Sequence, residues 1–288
     1  MKKQVSIQMK LAMPIILIAV VVFAAMNYLV ANNSFKTAKQ EAVNKTSATA
    51  KAYANEMRLE VEHGLDVARV MAHQLLALKK TDRTSREMVQ EELRELLEQN
   101  KFLIGTWTGW EPNAWDGKDA AYVGQKGHDQ SGRFVPYLNW EAGKSALTPL
   151  VGYEKAGDGD FYQVPKARLK ESMIEPYLYP IDGVQVLMTS AAVPIMMNGK
   201  FVGVAGVDMP LKEIQKQAAT IKPYAESEAY VITNEGKYVS HPNEKLITKS
   251  VEFPFEKEKL NAAITKGEEL AINVVDPQNG DEYHATII

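Results

Sequence analysis

The chain of 288 residues contains no cysteine, which excludes disulfides, thiolate metal sites and cysteine nucleophiles, and fits either side of a bacterial membrane. Histidine is scarce, five in all, with no HxxxH or HExxH spacing, so no metal ligand set is expected. Excess charge of either sign is also missing. With 33 Lys and Arg against 36 Asp and Glu the net charge is −3, too little positive charge to grip nucleic acid. Catalytic signatures are absent as well: no GxSxG, no Walker-type loop and no usefully spaced Ser/Lys pair. The chain is not expected to be an enzyme or to carry a cofactor. Sequence leaves open a glycosidase with paired carboxylates, because two acids can come from anywhere. An exported hydrolase, or a structural stalk protein with no small ligand, is thus an alternative.

Residues 11–30 (LAMPIILIAVVVFAAMNYLV) hold no charge, and a helix of that length spans the ~30 Å hydrocarbon core while satisfying its own backbone. Lys2, Lys3 and Lys10 precede it and the next charge is Lys36. The positive-inside tendency keeps residues 1–10 in the cytoplasm and exports the chain beyond the transmembrane helix 11–31. A cleaved signal peptide, with Leu29-Val30-Ala31 as a weak cleavage site, is the competing reading. The span is read as an uncleaved anchor in the cell inner membrane, with the rest periplasmic or extracellular.

From Ser34 to about Lys80 there is no proline and one glycine, Gly64. Met57, Val61, Leu65, Ala68, Met71, Leu75 and Leu78 recur at three- and four-residue steps. This spacing predicts a helix over 34–80, about 70 Å long at 1.5 Å per residue, serving as stalk, domain backbone and homodimer contact. Thr84 and Glu87 match a capping box opening a second helix that ends near Asn100. Strand-like stretches come next at Phe102–Gly109, Gly132–Trp140, Val184–Pro194, Lys200–Asp208, Ala229–Thr233 and Lys237–Ser240, with turns at Asn198-Gly199 and Asn234-Glu235-Gly236. A linking helix is expected over Leu211–Thr220. Helices before antiparallel strands describe an α+β fold.

Several segments in this order resemble the double Cache sensor domains of chemotaxis receptors and sensor kinases. They are WEPNAWDGKDAAY (110–122), GRFVPYLNW (132–140), EPYLYPIDGVQVLMTSAAVPI (175–195), GKFVGVAGVDMPL (199–211) and YVITNEGKYVSHPN (230–243). The resemblance implies two stacked PAS-like antiparallel-sheet modules on one long helix. The membrane-distal module (81–215) would carry the ligand; a membrane-proximal one (216–288) is incomplete, because the chain stops at YHATII inside an expected strand. The output, whether chemotaxis, kinase or cyclase, is not legible.

The amino-acid-sensing branch of that family reads the ligand carboxylate with arginine and the ammonium with tyrosine and aspartate. Here Val135 stands where the arginine is expected, with Arg133 two residues earlier. Tyr179 stands where an aspartate is expected, and the last aspartate of the branch matches Asp208. The resemblance thus implies that the amine-facing Tyr177 and Asp208 are kept and the carboxylate clamp is lost. That favours a small ligand with a protonated or N–H-donating nitrogen, such as an amine, a purine-like heterocycle or an amino acid. A desolvated carboxylate makes strong charge-assisted bonds to such donors, and aromatic faces attract cations.

Tyr137, Asn139, Trp140, Tyr162, Tyr177, Tyr179 and Asp208 are the candidate ligand-binding residues. Spacing alone also reads Asp208 as the N-cap of the helix after it, and the tyrosines as core. Trp107 and Trp110 read as core and lid support, and His128 as a solvated loop residue. Asp158 and Asp160 read as a plain turn rather than a calcium loop, and the charged run 256–259 as a solvated face.

Overall fold

The computed structural model describes residues 7–81, 84–251, 257–275, 280 and 282–288. Lys2, Lys3, the Lys10 side chain and Glu256 lie outside that description. One helix, α1 (Ile7–Thr81), joins the expected anchor and stalk without a break. Its apolar part reaches a mean hydropathy of 2.4 with none of that window buried by protein. It is the described helix long and apolar enough, by length and composition, to cross a membrane.

The chain divides into two units. The first comprises Met1–Lys51 and Glu269–Ile288. In it the strands Leu270–Val275 and Glu282–Ile287 form an antiparallel hairpin, and Glu269 pairs with Lys51 at 2.6 Å and accepts from Ser47.

The second unit, Ala52–Glu268, is built on a seven-stranded antiparallel sheet. Its strands are β1 (Gly105–Trp110), β2 (Pro136–Glu141), β3 (Lys144–Pro149), β4 (Ser172–Met173), β5 (Tyr177–Ile181), β6 (Val184–Met197) and β7 (Lys200–Pro210). They run in the order β3-β2-β1-β7-β6-β4, with β5 also on β6. The Asn198-Gly199 turn closes the β6–β7 hairpin with φ of 52° and 74°, the positive values a two-residue type I′ connection needs.

Strand alternation gives the sheet two apolar faces. One buries Trp110, Phe134, Leu138, Ala191, Ala205 and Val207 against α1 and α2 (Arg86–Gln99). The stripe foreseen on α1 is the part that packs there: Ala68, Met71 and Leu75 are fully buried, with Leu65 and Leu78 beside them. The other face buries Trp107, Val135, Tyr137, Met188, Ala192 and Val204 under β5 and α3 (Asp160–Arg168). After β7 come α4 (Lys212–Thr220), β8 (Val231–Ile232), β9 (Tyr238–Ser240) and α5 (Lys257–Lys266). A small cluster of Leu211, Ile214 and Val239 holds α4 to β9, and Met57 packs on it.

Several expectations are corrected. The α2 N-cap is Ser85, whose hydroxyl accepts from the Met88 N–H at 3.2 Å, while the Thr84 hydroxyl turns back to Leu78. The expected capping box is therefore out of register by one residue. His128 is not solvated: it is 6% exposed, bonded through Nδ1 to the Lys126 carbonyl and stacked on Tyr122. Burial pushes its pKa down. Asp160 opens α3 instead of lying in a plain turn, and accepts from the Gly157 N–H. The strands β3, β4 and β5 and the helix α3 extend structure into a stretch that the strand pattern left as loops.

Arg86 fixes the loop between β1 and β2. Fully buried, it donates to Asp116 at 2.6 and 3.1 Å, to Asp119 at 2.6 Å and to the Gly132 carbonyl at 2.8 Å. Its guanidinium lies 4.2 Å from the Tyr122 ring centre. Burial pushes the Asp116 pKa up, but the bonds from Arg86 and the Lys118 N–H outweigh it and the net shift is downward. Replacing Arg86 leaves two acids without their cation, so Arg86→Met is expected to lose about 3–5 kcal/mol in urea unfolding. A depressed carboxylate contributes stability above its unfolded pKa and loses it as pH falls through the folded one. The acid-side decline below about pH 4 is therefore expected to be shallower in the variant, and an unchanged midpoint and acid profile would refute the role of Arg86.

Candidate ligand-binding site

One cross-strand rung organises the cup on the α3 side of the sheet. Gly105 of β1 lies opposite Asn139 of β2 on one side and opposite Asp208 of β7 on the other, and Asp208 in turn lies opposite Ser190 of β6. Asp208 is 2% exposed. Its Oδ1 accepts from the Trp107 indole N–H at 2.9 Å and from the Ser190 hydroxyl at 2.6 Å. Ser190 also meets the Tyr177 hydroxyl at 2.6 Å. With Asp208 ionised, Ser190 gives its one proton to the carboxylate, so Tyr177 is the donor in that pair. Burial pushes the Asp208 pKa up, opposed by the bonds from Ser190 and Trp107.

Gly105 is required by space. A Cβ there would stand 2.4 Å from Tyr137 Cε2, 2.7 Å from its hydroxyl and 2.9 Å from Asp208 Oδ2. The missing side chain lets Tyr137 lie across the rung with its hydroxyl beside the carboxylate. That hydroxyl is buried and closes no hydrogen bond of ordinary length among the described residues. Burial, then the Asp208 charge, push the pKa values of Tyr137 and Tyr177 well above the usual tyrosine value, so both remain neutral donors.

Aromatic rings pack around the acid. Tyr137 meets Tyr179 edge-on at 5.4 Å, Phe161 meets Trp107 edge-on at 5.3 Å, and Phe161 stacks on Tyr177 at 5.9 Å. The Tyr179 hydroxyl accepts from the Val151 N–H at 2.9 Å, bracing the rim. Asn139, 2% exposed, donates to the Thr148 hydroxyl at 3.2 Å, while its Oδ1 is buried without a partner among the described residues. Asn139, Thr148 and Tyr179 line a cavity of about 210 Å³ at the edge of the cup.

The structure thus brings Tyr137, Asn139, Tyr177, Tyr179 and Asp208 onto one side of the sheet. It separates two of the expected residues from that function. Trp140 alternates onto the opposite face, where it packs with the α1–α2 core, donates to the Leu103 carbonyl at 3.0 Å and lies under Lys101. Tyr162 is on the cup side, but its hydroxyl is held by Glu111 and by Arg133. Arg133 itself is consumed by Tyr162, Glu111, Glu154 and the Trp110 carbonyl. Val135, fully buried, offers no charge. Trp107 and Ser190 hold the acid and were not among the expected site residues. Trp107 reads as core from its apolar character, and only its place on the same strand face as Gly105 marks it.

The sequence signature described as "methyl-accepting chemotaxis protein-like, first PDC sensor domain" matches residues 89–216. The chemotaxis protein TlpQ of Pseudomonas aeruginosa is 31% identical over 142 residues, covering 45% of this chain and 20% of TlpQ. The chain therefore spans about a fifth of that relative. The extracellular domain of the putative histidine kinase mmHK1S-Z3 is 32% identical with a TM-score of 0.75, over 87% of this chain and 89% of that domain. Methyl-accepting chemotaxis protein X is 26% identical with a TM-score of 0.73, over 87% and 92% of the two chains. An apolar N-terminal helix, an antiparallel α+β sensor fold and these matches agree: the chain belongs to the PDC, or Cache-type, sensor-domain family of methyl-accepting chemotaxis proteins and histidine-kinase extracellular domains.

Proposed function

We propose that this chain is the ligand-sensing region of a transmembrane chemoreceptor. In this reading residues 11–31 cross the inner membrane, the sensor is periplasmic or extracellular, and the long helix pairs two copies. The segment 81–215 is the membrane-distal module and 216–288 the membrane-proximal one. The distal module binds a small nitrogen-bearing ligand through Asp208, with Tyr137, Tyr177, Tyr179 and Asn139 around it. The carrying observation is the rung itself: a buried acid held by neutral donors alone, Trp107 and Ser190 with the Tyr137 hydroxyl beside them, and across Gly105 an Asn139 Oδ1 that lacks a partner among the described residues. Unmade bonds of buried groups cost about 1–3 kcal/mol each, a cost that a ligand with N–H groups removes. The similarity to mmHK1S-Z3 over most of its length favours a second reading, the sensor region of a histidine kinase with the same site.

The route from site to helix runs through the neighbour of the acid. Met209 packs against Gly64 of α1, where a Cβ would stand 2.4 Å from its Sδ and 2.9 Å from its Cε. A ligand that draws Asp208 toward itself therefore pulls on a residue seated directly in the signalling helix. It shifts the helix only by its differential affinity for the two arrangements.

Screening the purified chain by thermal shift against amines, purines and amino acids is expected to show one responding class. At a hundred times Kd the gain is about 2.7 kcal/mol, and a stalk protein would respond to none. For an amine, Asp208→Asn is expected to weaken binding about a hundredfold or more. Binding an ammonium favours the carboxylate, so the complex holds fewer protons than the free protein across the raised pKa of Asp208. Affinity should therefore rise with pH through that window, with proton release seen as a buffer-dependent calorimetric heat; a flat profile contradicts the role given to Asp208. Gly64→Ala adds helix propensity worth about 0.5–1 kcal/mol yet displaces Met209. It is expected to alter ligand-dependent crosslinking between paired helices without unfolding the domain, and identical crosslinking with and without the substitution would remove Met209 from the route.

A further inference from the structure

His128 sits where the loop from β1 turns into β2, and its surroundings favour it as a neutral ring. It is 6% exposed. Its ring stacks on Tyr122 with centres 4.8 Å apart and lies 5.5 Å from the ring of Phe134. Nδ1 meets the Lys126 carbonyl at 2.8 Å. A carbonyl only accepts, so the neutral ring carries its proton on that nitrogen. Nε2 is buried without a partner among the described residues. Protonation would make it a second ring N–H, buried and with no acceptor, a loss that is greater for a charged group.

The neighbouring charges offer little relief. Arg86, at the start of α2, already places its guanidinium 4.2 Å from the Tyr122 ring centre and 5.2 Å from that of Phe134. The two rings that flank His128 therefore already serve a cation. Asp116 and Asp119 are taken by Arg86, and Asp129 accepts from Tyr153, Ser131 and the Arg133 backbone N–H. Glu87 of α2 is exposed and screened by solvent, and Lys126 adds only another exposed positive charge. Burial lowers the His128 pKa and the Arg86 charge lowers it further, outweighing the Lys126 and Gln125 carbonyls and the Glu87 charge.

The same residue fastens the chain. His128 bridges to Phe134 across the loop, the Val135 N–H donates to the Gly127 carbonyl at 3.2 Å, and the Asp129 N–H donates to the Arg133 carbonyl at 3.3 Å. Pro136 and Tyr137 of β2 follow directly. A surface cavity of about 370 Å³, lined by Val123, Gln125, Asp129 and Pro149 together with His128, lies beside the segment and leaves room for a charged ring to reach water.

We infer that His128 is an acid-operated latch: neutral, it fastens residues 119–135 at the start of β2, and protonated, it releases them. Its consequence for ligand binding, through Tyr137, rests on the reading of the Asp208 cluster as the ligand site; the latch itself does not. The released segment binds the proton at the ordinary histidine value of about 6.5. Closure is therefore fully favoured above that pH and weakens as pH falls below it.

The test is amide-exchange protection of the full chain in detergent, read over residues 119–135, where His128 is the only histidine. Below about pH 6.5 the opening constant is expected to rise by up to about tenfold per pH unit. It should stay level in His128→Asn, whose amide keeps an N–H for the Lys126 carbonyl and does not titrate. Protection that ignores pH in the native chain, or that falls equally in the variant, overturns the latch. If the variant does not fold, exchange of the imidazole C2 hydrogen in the native chain decides: a His128 midpoint below about 6.5 upholds the latch, and one at or above it overturns it. No ligand enters either measurement, so a failure here leaves the Asp208 reading standing, and a failure of that reading leaves the latch.

Discussion

A carboxylate at 2% exposure governs the organisation of the sensor side of the sheet. Moving an ionised carboxyl out of water is expensive unless it is bonded, and its pKa rises until bonding or protonation relieves it. Asp208 receives two side-chain donors on one oxygen, from Trp107 and Ser190, and neither donor is a cation. The acid is held, not neutralised. A salt bridge in the same place would have satisfied it for stability alone, as Arg86 does for Asp116 and Asp119 on the neighbouring loop. The two arrangements contrast within one domain: Asp116 and Asp119 are paired with a guanidinium, whereas Asp208 is left with neutral donors.

The sheet makes that contrast possible by dividing labour between its faces. On β1 the even residues Thr106 and Trp110 face the helices, and Thr106 is bonded to the Leu93 carbonyl of α2. The odd residues Gly105 and Trp107 face the cup. A one-residue slip would exchange the faces and put the acid against α1. The register is pinned by β1 lying between β2 and β7, with six residue pairs to β7, and by the Asn198-Gly199 turn that sets β6 against β7.

Much of this was legible because the signals are periodic. The α1 stripe, the α4 segment and the β6–β7 hairpin all come from spacing, and Tyr177 and Asp208 from the resemblance. The rest was illegible for physical reasons. Trp140 sits in an aromatic segment beside Tyr137, but parity sends it to the other side; the register of β2 decides that, and register is a tertiary property. Tyr162 is drawn away by Glu111 and Arg133, partners 51 and 29 residues distant in sequence, which no local pattern reveals. Ser190 and Trp107 matter through their alignment with Asp208, not through any motif. His128 looked solvated because its loop is polar, yet Tyr122 and Phe134 enclose it.

The same geometry bears on selectivity and signalling together. Val135, just before β2, and Tyr137 of β2 pack in the same cluster, the first apolar and the second ending in a hydroxyl beside Asp208. Arg133, the cation nearest in sequence, is occupied by two acids, a carbonyl and a tyrosine. That cluster ties the β1–β2 side of the domain to α3, whose Tyr162 and Lys166 both hold Glu111. Arg133 is thus committed to the packing of α3. Asp208 adjoins Met209, which fills the notch that α1 offers through Gly64. Close-packed interiors leave little slack to absorb displacements, and Met209 makes Asp208 and α1 parts of one packed contact.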